Sequence, residues 1–177
     1  TLQVADTESE WLITSGQLAK AAPVLARGRR AATMARALNP GDNEVNLLTG
    51  NLELQTARTL QGAARLAALR EAQRTVALAL QQNARPLHGW ILLGEIHRRQ
   101  AELQKGAPQS EAIAAAEAAL GTAEGIVMDH PRVHAERASL QLIWATTKQL
   151  RDEAKAKLEA AIARNPHLRW RYAAGLR

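Results

Sequence analysis

The stretch Gly28-Arg29-Arg30-Ala31-Ala32-Thr33-Met34-Ala35-Arg36-Ala37-Leu38-Asn39-Pro40 decides the fold. Gly28, Ala32 and Ala35 stand at steps of four and three, and Pro40 follows five residues later. Ala154, Leu158, Ala161 and Pro166 repeat the same steps near the C-terminal end. Residues at steps of four and three share one face of a helix. The proline stands where a helix cannot easily continue. Ala72, Val76 and Ala79, and again Ala112, Ala116 and Ala119, carry the four-then-three step between these ends. A recurring helical stripe closed by proline marks an array of helical repeats. In such an array each unit buries its apolar face on its neighbours and leaves an outer surface for partners.

The composition agrees. Of 177 residues, 46% are hydrophobic but only 3% aromatic, and there is no Phe. Alanine and leucine, both strong helix formers, dominate. A β-sandwich would require more β-branched and aromatic residues. The chain has no cysteine, which removes disulfides, thiolate metal sites and Cys nucleophiles. That fits a reducing compartment, and the expected setting is cytoplasmic. No apolar run approaches the roughly 20 residues of a membrane span. The chain opens at Thr1 with neither an initiator Met nor a signal-peptide pattern, so it reads as a piece of a longer protein.

The net charge is +6 and arginine supplies most of it. Basic residues alternate with Glu along most helices, as in Arg70-Glu71 or Glu95 with Arg98 and Arg99. Interleaving of this kind favours local pairing over a single basic stripe. A basic helical scaffold contacting nucleic acid is the alternative reading of the charge.

Prolines 40, 86, 131 and 166 mark turns, and each interval holds two helices. The spacing predicts helical hairpins over about 7–38, 43–82, 87–128 and 132–164, with a capping helix over about 167–174. The whole of 1–177 is expected to be one domain. Asp6 or Thr7 is expected to cap a first helix running through Leu18, with Pro23 in the first turn of the second. Gly121 and Gly125 predict a kink or split in the sixth helix.

The residues also resemble a known family. Trp90-Ile91-Leu92-Leu93-Gly94 fits the tetratricopeptide (TPR) opening, Trp-x2-Leu-Gly. Ala154, Leu158, Ala161 and Pro166 fit its second half, Ala-x3-large-x2-Ala ending at Pro. The resemblance implies an all-α, right-handed superhelical array of about four hairpins plus the capping helix. The two middle hairpins are longer than the family's usual one, through extra residues at 57–65 and 102–108. Long hairpins with endings such as Ala37-Leu38-Asn39-Pro40 are similar to the non-catalytic C-terminal repeat regions of large bacterial serine/threonine protein kinases. The chain itself has no Gly-rich phosphate loop, no HRD-type loop and no DFG.

By resemblance, such an array binds a peptide or partner domain on its concave face, lined by the first helix of each hairpin. Placing each hairpin against its small residue puts Gln17, Asn51, Gln55, His88, Glu95, Arg98 and Glu136 on or near that face. A carboxylate clamp is not expected, because Leu47, Ile91 and Leu92 stand where polar clamp groups would be.

Catalytic chemistry is not expected. Ser110 and Ser139 have no base at a sensible spacing, and no carboxylate pair lies in a catalytic setting. No metal or cofactor is expected either. Pro131 keeps His130 out of the helix that carries His134, and His88 and His97 lie about 13 Å apart along theirs. Arg169-Trp170-Arg171-Tyr172 with Arg177 mixes basic and aromatic residues as a nucleic-acid reader would. The reading preferred here is a cap whose Trp170 packs on the last hairpin.

Overall fold

Small residues at helical spacing, broken by Gly and Pro, produce helices and tight turns from end to end. The structure, a computed structural model, describes residues 2–176. Thr1 and Arg177 lie outside the described residues. The helices are α1 (Leu2–Thr14), α2 (Leu18–Leu38), α3 (Asn43–Arg58), α4 (Gly62–Gln82), α5 (Leu87–Leu103), α6 (Ala107–Ile126), α7 (Pro131–Trp144), α8 (Lys148–Arg164) and the single turn α9 (Arg169–Tyr172). Pro166–Leu168 and Ala173–Leu176 are 3-10 turns on either side of α9. Among the described residues there is no strand. The all-α array of hairpins therefore stands, with two compact units, 1–92 and 93–177, divided within α5.

In the first unit α1 pairs with α2, and α3 pairs with α4. Leu12, Ile13, Ala21, Val24, Leu25 and Leu52 form a common core. The stripe of α2 works as its spacing implies. A Cβ at Gly28 would stand 3.0 Å from both Leu52 methyls and 3.1 Å from Ala5 Cβ. Within the second hairpin α3 meets α4 at Gly50, where a Cβ would fall 2.4 Å from Val76 Cγ2. Only a bare backbone fits that approach.

In the second unit α7 pairs with α8, and α6 packs on α7. Ala135, Ala138, Leu158, Ala161 and Ile162 make a core that Leu168 and Tyr172 close. The terminal segment thus packs as an apolar cap. Trp170 does not supply that cap: it is 42% exposed, and Arg171 stacks over its ring. The alternation of the segment explains this, since Leu168 and Tyr172 are four apart on one face and Trp170 lies on the other.

Several local expectations are corrected. Asp6 and Thr7 do not cap α1, which begins at Leu2. Asp6 accepts instead from Asn51 on α3, and Thr7 donates back to the Gln3 carbonyl. Gly16, at φ +79°, ends the first helix, so Leu18 opens α2 and Pro23 falls well inside it. Ala19 and Pro23 both face solvent, so water reaches the carbonyl that the proline's missing N–H leaves without a helical donor. Helix α6 does not split at Gly121; Ala119, Leu120 and Ala123 keep a continuous buried face there. Helix α7 stops at Trp144, and Thr147 caps α8 by accepting from Leu150 N. The extra residues of the middle hairpins mostly lengthen helices, leaving short turns at 59–61 and 104–106.

Candidate interaction surface

Six of the seven residues that the family resemblance singles out stand on the first helices of the hairpins, and Gln17 does not. In the first unit Asn51 Nδ2 donates to both Asp6 carboxylate oxygens, at 2.7 and 2.8 Å, joining α3 to α1. Gln55 Oε1 accepts from Arg58 at 2.7 Å, and Arg58 reaches on to Thr14 Oγ1 at 3.2 Å. Asn51 and Gln55 are buried. Gln17 lies in the α1–α2 turn, half-buried, donating to Ser15 and accepting from Lys20. His88 sits exposed in the first turn of α5.

In the second unit Glu95, Arg98 and Glu136 form a buried charged seam. Glu95, fully buried, accepts from Arg99, from Arg132 at 3.2 Å and from Arg171 at 2.9 Å. Arg98 donates to Glu136 Oε2 at 2.7 Å and also pairs with Glu102. Tyr172 donates its hydroxyl to the second oxygen of Glu136 at 2.6 Å. Burial opposes the Arg98 charge, but Glu136, Glu102 and Glu95 outweigh it and hold the guanidinium firmly protonated. Burial, aided by Glu136, pushes the Tyr172 phenol well above its ordinary value. Charges this deep persist only when paired and hydrogen-bonded.

The structure therefore brings together three of the seven expected residues, Glu95, Arg98 and Glu136, and a separate pair, Asn51 and Gln55. It buries all five. Each is held by a residue of another turn or helix, and Arg98 also borders an open cleft of about 330 Å³ with Glu102, Leu142 and Arg171. Gln17 and His88 remain at the surface. Burial also explains His97, whose imidazole is held below its ordinary pKa beside Gln100.

Further open clefts lie elsewhere. One of about 490 Å³ runs along α6, α7 and α8, between Glu117, Arg137, Lys157 and Arg164, with half-exposed Trp144 at its end. Its arginines are matched internally. Arg137 pairs with Glu124 at 2.6 Å, Arg164 grips the Asp129 carboxylate at 2.7 and 2.8 Å, and Lys157 donates to Gln141. Asp129 stands at φ +62°, and its bonds to Arg164 and His134 hold its carboxyl below the usual range. Nothing in the residue order signals that arginine clamp, since Arg164 comes from 35 residues away.

A second cleft of about 300 Å³ lies between α2 and α3, bordered by Arg29, Thr33, Arg36, Thr49 and Glu53. Burial raises the pKa of Glu53 from its ordinary 4.5, and nearby Glu71 adds to this. A hydrogen bond from Thr75 and the charge of Arg36 act the other way. Helix α2 carries Lys20, Arg27, Arg29, Arg30 and Arg36 and no acidic residue. Arg27 pairs with Glu8 at 3.1 Å. Among the described residues, neither Arg29 nor Arg30 has an ion-pair partner.

Among the described residues no three His, Asp or Glu side chains converge as a metal site, and no helix is long and apolar enough to cross a membrane. No protein-family model and no curated protein matches the chain. A solved structure does: a thermophilic TPR protein of Thermus thermophilus, 18% identical, superposes with a TM-score of 0.60 over 99% of both chains. At that identity the likeness shows the fold, an all-α array of TPR-type helical hairpins.

Proposed function

We propose that this chain is a non-catalytic protein-interaction scaffold that holds a peptide or partner domain against its helical hairpins. Its setting is a docking or regulatory region of a larger bacterial signalling protein, such as a serine/threonine kinase. The observation that carries the scaffold reading is the TPR-type fold. The buried seams support it. Asn51–Asp6 ties α3 to α1, and Arg98–Glu136 ties α5 to α7. Seams of this kind hold first helices at fixed spacing, so a partner meets a surface already ordered and loses less freedom on binding. On this reading Asn51, Gln55, Glu95, Arg98 and Glu136 set the shape of the partner face, and Gln17 and His88 are the members of the set that touch the partner.

Selection from a displayed peptide library, followed by calorimetry on the chain, tests the scaffold. The expected result is a recurrent peptide pattern binding at micromolar strength, weakened by Q17A/H88A. No enriched peptide, together with nucleic-acid binding that falls steeply with salt, would replace this reading with the nucleic-acid one. The kinase setting has a separate test. Deleting 1–177 from the full-length protein should change its partners or its kinase output; if both are unaltered, the setting fails.

A further inference from the structure

We propose that the exposed face of α2 docks an acidic, amphipathic segment of a partner protein, with Arg29 and Arg30 holding its carboxylates and Met34 and Leu38 taking its apolar side chains. The proposal rests on the scaffold reading and names the partner's chemistry.

Charge complementarity carries it. Many arginines of the fold are matched, Arg74 to Glu71, Arg98 to Glu136, Arg137 to Glu124 and Arg164 to Asp129. On α2, Arg29 and Arg30 are exposed and, among the described residues, unmatched. Two adjacent exposed guanidiniums without ion-pair partners raise the local positive potential and suit planar, bidentate contact with carboxylates.

The apolar half of the face is equally specific. Arg30, Met34 and Leu38 follow at steps of four, a ridge advancing about 6 Å per step. Met34 is 69% exposed and Leu38 88%. Arg29, Thr33 and Arg36 border the α2–α3 cleft on the other flank of the same helix. A partner helix or extended segment with acids at one end and Leu- or Ile-type residues at the other matches this order.

Nucleic acid fits less well. Helix α2 has no aromatic residue for base stacking.

The test uses the whole chain and a fluorescein-labelled synthetic peptide of about 14 residues with Asp-Glu pairs in one half and Leu residues in the other, read by fluorescence anisotropy. Controls are the same peptide with Lys for every acid, and a single-stranded DNA of equal charge. The acidic peptide should bind at micromolar strength and the Lys peptide should not. R29E/R30E should weaken binding about tenfold or more, and M34S/L38S about fivefold, with the circular dichroism melt of each unchanged. R70E/R85E makes the same change of net charge elsewhere and should stay within about twofold. Absence of acidic-peptide binding, equal loss in R70E/R85E, no loss in R29E/R30E, or tighter binding of the DNA overturns the proposal. Repeating the library selection on R29E/R30E separates the two readings. Enriched peptides beside a failed acidic peptide leave the scaffold standing without this face. No enrichment with either chain removes the scaffold itself.

Discussion

Tyr172 and Glu53 show at single-residue scale how burial sets the chemistry. The Tyr172 hydroxyl satisfies one oxygen of a carboxylate that has no access to water. Y172F keeps the ring and removes that donor, leaving Glu136 dependent on Arg98 for its hydrogen bonding. The expected cost is about 1–3 kcal/mol, read as a lower urea midpoint at unchanged slope. Glu53 runs in the opposite direction. Its folded pKa lies above the ordinary 4.5, so the unfolded chain releases this proton first, and stability falls as pH rises above 4.5. E53Q removes the penalty: its melting temperature should exceed that of the wild type at pH 7, with the difference gone at pH 4. An E53Q that melts lower at pH 7 would show that the ionised form is the stabilising one. Neither effect was legible in the residue order. Tyr172 reads as part of a basic-aromatic tail and Glu53 as an ordinary helix-face acid, because their environments come from other helices.

At the scale of elements, the small-residue stripe was legible and the polar seams were not. Steps of four and three identify a packed face from local geometry alone, which is why Gly28, Ala32 and Ala112 fall in the core as expected. Buried Asn51, Glu95 and Glu136 stand on first helices, where the resemblance places partner-binding residues. The structure commits them to α1, α5, α7 and the terminal segment, and pairing across helices leaves no periodic signal. Helix starts failed for a related reason. Asp6 has the composition of a cap, but Asn51 captures its carboxylate, and Gly16 sets the break instead. Glycines make the same contrast testable. G50A drives a methyl against Val76, a β-branched, fully buried side chain, and should cost about 1–2 kcal/mol after the gain in helix propensity. At Gly121 the nearest atom to a new Cβ is Arg137 Nη2 at 3.9 Å. G121A should therefore stabilise α6 by about 0.5–1 kcal/mol, seen as a higher melting temperature. A loss there would show that the glycine is needed for bending.

On the scale of the whole molecule, repeat arrays are stabilised by neighbour contacts, so an end without a cap is the weakest point. The segment after Asn165 provides that cap in two ways. Leu168 and Tyr172 complete the core of α7 and α8, and Arg171 and Tyr172 supply donors to Glu95 and Glu136. Burial of two such side chains contributes about 3–6 kcal/mol, and each buried carboxylate deprived of a partner costs more. A small unit has only about 5–15 kcal/mol of net stability. Truncation after Asn165 should consequently strip hydrogen-exchange protection from α7 and α8 under native conditions. The first unit has its own core around Leu12, Leu25 and Leu52, so amides of α3 should keep their protection in the same sample. R171A/Y172A should reproduce part of the loss without shortening the chain. If α7 and α8 stay protected in the truncated protein, the charged seam is a passenger and the second unit is held by Leu158, Ala161 and Ile162 alone. If α3 loses protection together with α7, the array unfolds as one cooperative body, and neighbour coupling through α5 outweighs the separate cores.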